Sequence, residues 1–157
     1  MNVIAIELPN SLPVNIESLT QRILAEQPEM ICLANVHQID ANVAILSEEF
    51  CLMEEAMLPN EENVAYQLSE NLALADCEYY WMWFDAAGWA VFAKAPLVAE
   101  KLLVDEQLCL SIITELKGTL TQVLCSEQQL PTTTMAELSQ QAATKDRELL
   151  IINEFKN

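Results

Sequence analysis

Residues 2–8, Asn-Val-Ile-Ala-Ile-Glu-Leu, form an apolar run that reads as a first strand, and Pro9, Asn10, Ser11 and Pro13 break it. Asn15 is placed to cap a helix over 16–27, in which Ile16, Leu19, Ile23 and Leu24 return at helical spacing. Pro28 separates that helix from a continuous apolar run, Met30 to Leu33, which continues into the polar residues Asn35, His37 and Gln38. This pattern predicts a central strand over 30–36, buried on both faces, with a polar carboxyl end. A strand, a helix and a second strand predict a parallel pair with a right-handed crossover. Ligands in open α/β sheets bind at the carboxyl ends of such strands.

The pattern weakens over residues 39–60. A loop is expected at Ile39-Asp40-Ala41-Asn42 and a short helix over 48–57, with Phe50, Met53 and Met57 inward. From 61 to 75 the helical period returns in Val64, Leu68, Leu72 and Ala75. Residues 78–84 are aromatic and strand-like, and Asp85-Ala86-Ala87-Gly88 reads as a turn into a strand over 89–93. The two predict an antiparallel hairpin, and Pro96 belongs at a strand end. Further strands are expected at 100–104, 108–114 and 119–125, the last two joined around Lys117-Gly118. Thr134-Met135-Ala136-Glu137 has the form of a capping box opening a helix to Lys145, with Met135, Leu138 and Ala142 on one face. Residues 148–152 read as a last strand. The alternation predicts an α/β fold, mixed β-sheet layers flanked by helices, as a single domain over 1–157.

Composition narrows the possibilities. With 24 acids against 7 bases the 157-residue chain carries −17, a field that repels phosphate backbones and makes nucleic acid an unlikely ligand. The acids read as a solvated surface, and mimicry of nucleic acid toward a basic protein partner stays open. No apolar run approaches the about 18–20 residues of a membrane span. The amino terminus has no basic region ahead of its apolar stretch, so a secretory signal is not expected. The cysteines Cys32, Cys51, Cys77, Cys109 and Cys125 are odd in number and scattered, as reduced thiols of a cytoplasmic protein would be. Two glycines leave no Gly-rich phosphate cradle.

Several strings together resemble the endonuclease/exonuclease/phosphatase superfamily, the deoxyribonuclease I-like fold. Glu29-Met30-Ile31-Cys32-Leu33-Ala34-Asn35-Val36 lies in the frame of that family's D-I-I-x-L-Q-E-V strand. Glu62-Asn63-Val64-Ala65-Tyr66-Gln67-Leu68 is similar to D-N-F-A-x-x-L, and Glu78-Tyr79-Tyr80-Trp81-Met82-Trp83 to D-Y-Y-W-x-W. Gly88-Trp89-Ala90-Val91-Phe92-Ala93-Lys94 follows where E-G-V-A-I-L-S-R would stand, and Asn153-Glu154-Phe155-Lys156 where G-D-F-N would. Order and spacing carry the resemblance over nearly the whole chain. It implies the first part of a four-layer sandwich.

The resemblance also implies a metal site, and the matching positions have changed. The first-strand Asn stands as Glu7, the metal-binding Glu as Asn35, and the Asp of G-D-F-N as Glu154. Mg²⁺ or Mn²⁺ accepts either a carboxylate or an amide oxygen, so Glu7, Asn35 and Glu154 are the candidate ligands. Gln128 is nearest to the place of the catalytic His, and an amide cannot shuttle a proton. His37, the single histidine, is a weak alternative base. The family's later Asp and its terminal Asp-His pair have no counterpart in this sequence. Three functions follow as expectations. The first is a truncated, degenerate relative without catalysis, acting through binding or homo-oligomer assembly. The second is a residual Mg²⁺- or Mn²⁺-dependent phosphodiesterase on a small phosphate ester. The third is an acidic inhibitor of a basic protein.

Overall fold

A computed structural model describes residues 3–8, 15–36, 64–84, 88–126 and 128–155. Their elements fall into two compact units that meet in the chain at Lys94 and Ala95. The expected helix over 48–57, the loop at 39–42, most of the turn at 85–88 and His37 lie outside the described residues.

The first unit holds β1 (Val3–Glu7), α1 (Ile16–Glu26), β2 (Met30–Ala34), α2 (Val64–Leu74), β3 (Tyr80–Phe84) and β4 (Trp89–Ala93). Its sheet runs β1-β2-β4-β3. β1 and β2 are parallel, from Val3 opposite Met30 to Glu7 opposite Ala34, while β4 is antiparallel to both β2 and β3. Strand residues point alternately to the two faces, so Ile6, Ile31, Leu33, Trp83, Ala90 and Phe92 meet Leu19, Ile23, Val64, Leu68 and Leu72 of the helices in one core. Met30, Cys32 and Ala34 point the other way and are buried too. Burial on both faces is why β2 is apolar throughout. Each fully buried aliphatic side chain here, Ile23 among them, contributes about 1.5–3 kcal/mol.

Local chemistry sets the ends of α1. The Asn15 Oδ1 accepts the Ser18 amide at 2.9 Å, as the sequence suggests. Gln27 closes the helix in the left-handed region at φ 44°.

The second unit holds β5 (Leu97–Val104), β6 (Gln107–Leu116), β7 (Thr119–Ser126), α3 (Thr132–Thr144) and β8 (Glu148–Ile152). Its sheet runs β5-β6-β7-β8, an antiparallel meander closed by a parallel β8 that returns through α3. Leu102, Val104, Cys109, Leu124, Leu149 and Ile151 pack with Leu130, Met135 and Leu138. Both hairpins turn on two residues of positive φ, Asp105 and Glu106 at 51° and 63°, and Lys117 and Gly118 at 50° and 77°. Such turns match the right-handed twist of the strands they join. Each unit thus contains one parallel pair joined through a helix, and the rest of each sheet is antiparallel.

Two expectations need correction. β5 begins at Leu97, directly after Pro96, three residues before the predicted start at 100. It is an edge strand whose Glu100 and Lys101 are exposed, so the apolar alternation that marks a buried strand is missing. α3 begins at Thr132 behind Pro131, and no side chain caps it. The Thr134 hydroxyl instead donates to the carboxylate of Asp105 in the β5–β6 turn, which removes the capping box.

Candidate functional site

The carboxyl ends of β1 and β2 are where the sequence places its first two candidate ligands. Glu7 is the last residue of β1 and is exposed. Its register partner is Ala34, so Asn35 follows directly at the end of the neighbouring strand. Asn35 leaves the strand in the left-handed region at φ 62°, which asparagine tolerates because its short amide can bond locally. Its Nδ2 donates to the Leu8 carbonyl at 2.8 Å. The Leu8 amide in turn donates to the Ala34 carbonyl at 3.0 Å, and the Val36 amide to the Gly88 carbonyl at 2.8 Å. Gly88 itself has φ +65°, and a Cβ there would stand 3.4 Å from the Val36 oxygen. The end of β2 is therefore tied to β1 on one side and to the turn before β4 on the other, with the Asn35 amide as one of the ties.

Glu7 and Asn35 are brought together, but the pair supplies one carboxylate and an amide whose nitrogen is bonded to Leu8. That set offers a Mg²⁺ or Mn²⁺ ion one carboxylate and one amide oxygen, and water would fill the rest of its near-octahedral shell. Among the described residues no group of three or more His, Cys, Asp or Glu side chains could hold a metal. Glu154 belongs to the second unit, where it is exposed just beyond β8.

Gln128 lies beyond the end of β7. Its Oε1 accepts the Gln107 Nε2 at 2.8 Å, and Gln107 opens β6. The fully buried Ser126 hydroxyl lies 2.6 Å from the Gln128 carbonyl oxygen and 3.1 Å from the Gln107 Oε1. This is a network of amides and a hydroxyl that fastens β6 to the residues after β7. No member changes protonation near neutral pH. Beside it, burial pushes the Cys109 thiol above its ordinary range, the nearby Cys125 adds to that, and the Ser126 hydrogen bond opposes it. Gln107 and Ser126 carried no signal in the sequence, because only the β6–β7 register joins them.

A second cluster was also missed. The Lys94 Nζ lies 3.3 Å from the Cys77 Sγ and 4.3 Å from the centre of the Tyr79 ring. The Tyr79 hydroxyl donates to the Pro28 carbonyl at 2.8 Å. Burial, and secondarily the Cys77 thiol, keep that phenol protonated far above its usual range. Tyr79 also meets Phe92 edge-on, and Trp81 stacks on Phe92 with ring centres 5.8 Å apart. The aromatic strand is thus engaged with the core of its own unit.

The fold is found among solved structures. An endonuclease/exonuclease/phosphatase family protein from Leptotrichia buccalis superposes with a TM-score of 0.59 at 18% identity, over 88% of this chain and 62% of that one. Humanized D. rerio TDP2 carrying 14 mutations superposes with a TM-score of 0.51 at 10% identity, over 91% of this chain and 53% of that one. The chain spans 62% and 53% of the lengths of these two structures. No protein-family model matches it, and neither does any curated protein sequence.

Proposed function

We propose that this chain is a non-catalytic relative of the metal-dependent phosphodiesterases whose fold it shares, acting through binding or homodimer assembly. One observation carries the reading. Asn35 stands where the resemblance implies the metal-binding Glu, and its amide is built into the backbone joint between β1 and β2. The replacement for the catalytic His supports it, because Gln128 is held by Gln107 in a network with no base.

Assembly is supported by the second sheet. Leu103 and Leu108 are register partners in β5 and β6 and are 76% and 42% exposed, so two large apolar side chains lie side by side in water. Adjacent exposed leucines at a sheet edge invite cover. Among the described residues β8 also pairs on one side alone, with β7, and its Leu149, Leu150, Ile151 and Ile152 are only half-buried.

Two assays test the proposal. Purified protein with Mn²⁺ and a small chromogenic phosphodiester should release no product above the uncatalysed rate. Hydrolysis that disappears in Glu154→Ala would establish the residual phosphodiesterase instead. Sedimentation should show a dimer that dissociates when Leu103 and Leu108 are both changed to Glu. A monomer at every concentration would remove assembly and leave binding to another protein.

A further inference from the structure

We propose that Cys77 and Lys94 form an oxidant-closed cross-linking site within the first unit. The two residues are 17 apart in the chain, yet the Lys94 Nζ lies 3.3 Å from the Cys77 Sγ. Both backbones are fixed. The Cys77 amide donates to the Leu72 carbonyl at 2.9 Å as the chain leaves α2, and the Lys94 amide donates to the Glu29 carbonyl at 2.9 Å beyond the end of β4. The Tyr79 ring lies under the ammonium at 4.3 Å and its own hydroxyl is anchored on Pro28, so the lysine head is held over the thiol. Lys94 is exposed and Cys77 is at the margin of burial, 9% exposed, which admits a small oxidant. Cys32, Cys109 and Cys125 are each 2% exposed or less.

The chemistry balances with a peroxide as the oxidant. The Cys77 sulfur attacks one peroxide oxygen, the O–O bond breaks, and the other oxygen leaves as water. Sulfur has given up two electrons and is a sulfenic acid. The lone pair of unprotonated Lys94 then attacks that sulfur. The S–O bond breaks, the hydroxyl takes a proton from the nitrogen and leaves as a second water, and an S–N bond remains. One thiol, one amine and one peroxide give one sulfenamide and two waters. The bond would fasten the end of α2 to the end of β4, and a thiol reductant would reopen it. Nothing in this step depends on the non-catalytic reading of the β1–β2 end.

The test is exposure of the folded full-length chain to hydrogen peroxide, followed by tryptic digestion and mass spectrometry. The expected product is the single tryptic peptide 23–101, uncut at Lys94, two hydrogens lighter than its reduced form, with fragment ions placing the link between Cys77 and Lys94, and lost on treatment with dithiothreitol. Lys94→Arg keeps a cation over Tyr79 but lacks a nucleophilic amine. It should abolish the linked species and raise dimedone labelling of Cys77 several-fold, with an unchanged circular dichroism spectrum. Conversion of Cys77 to sulfinic or sulfonic acid without the link in the parent chain would overturn the proposal. So would a Cys77 that stays reduced in the folded chain, or the same two-hydrogen loss persisting in Lys94→Arg.

Discussion

The Asn35 side-chain amide donates to the Leu8 carbonyl at 2.8 Å, a bond between residues 27 apart that joins the carboxyl ends of two parallel strands. Leu8 is buried, so its carbonyl has little water to turn to if that donor is removed. Asn35→Asp keeps the size and tolerance of positive φ but replaces the donor with a second acceptor. It should destabilise the protein by about 1–3 kcal/mol in urea unfolding, the usual consequence of a buried group left unpaired. Asn35→Glu, which restores the residue implied by the resemblance, should be destabilised as well and gain no Mn²⁺-dependent hydrolysis. An unchanged unfolding midpoint in Asn35→Asp would show that the amide is not a joint.

Tyr79 gives the protein an alkaline limit. Its phenol is held above the ordinary value of 10.0, first by burial and then by Cys77. Below about pH 10 the folded and unfolded chains both keep the proton, and the contribution is complete. As pH rises past that value the unfolded chain releases its proton while the folded chain does not, so stability falls. Thermal melts from neutral pH upward should show a decline beginning near pH 10 that is shallower in Tyr79→Phe. That variant should also be about 1 kcal/mol less stable at neutral pH, having lost its bond to Pro28. Parallel curves for the two proteins would contradict the assignment.

The β5–β6 hairpin carries strain that glycine would relieve. Asp105 and Glu106 both have positive φ, at 51° and 63°, and neither is glycine. Glu106 is exposed, and its replacement costs no packing. Glu106→Gly should therefore stabilise the protein by about 1 kcal/mol, the penalty of a non-glycine residue in the left-handed region less the added freedom of the unfolded chain. A lower melting temperature would mean that the Glu106 side chain makes a contact of its own.

Much of the architecture was legible because burial writes itself into the sequence. β2 is buried on both faces and reads as an unbroken apolar run, and the helix between β1 and β2 announces their parallel pairing. β5 was read short because an edge strand tolerates Glu100 and Lys101. The capping box failed because Thr134 found a tertiary partner in Asp105, 29 residues away. The site was less legible for a related reason. Sequence shows that Asn35 carries an amide where a carboxylate is expected, but not that the amide faces a backbone carbonyl. The Gln107–Gln128 pair and the Cys77–Lys94 pair depend on strand register and on a helix end, and neither leaves a local pattern.

Calorimetric titration of Mn²⁺ into the purified protein, with Glu7→Ala and Glu154→Ala measured alongside, tests most directly whether the β1–β2 end holds a metal. No saturable heat at millimolar metal is the expected result, because the Asn35 amide serves the backbone joint and, among the described residues, Glu7 is the carboxylate that ends β1 beside it. Saturable binding in the parent protein, lost in both variants, would contradict a non-catalytic role and make Glu7 and Glu154 ligands of a working centre.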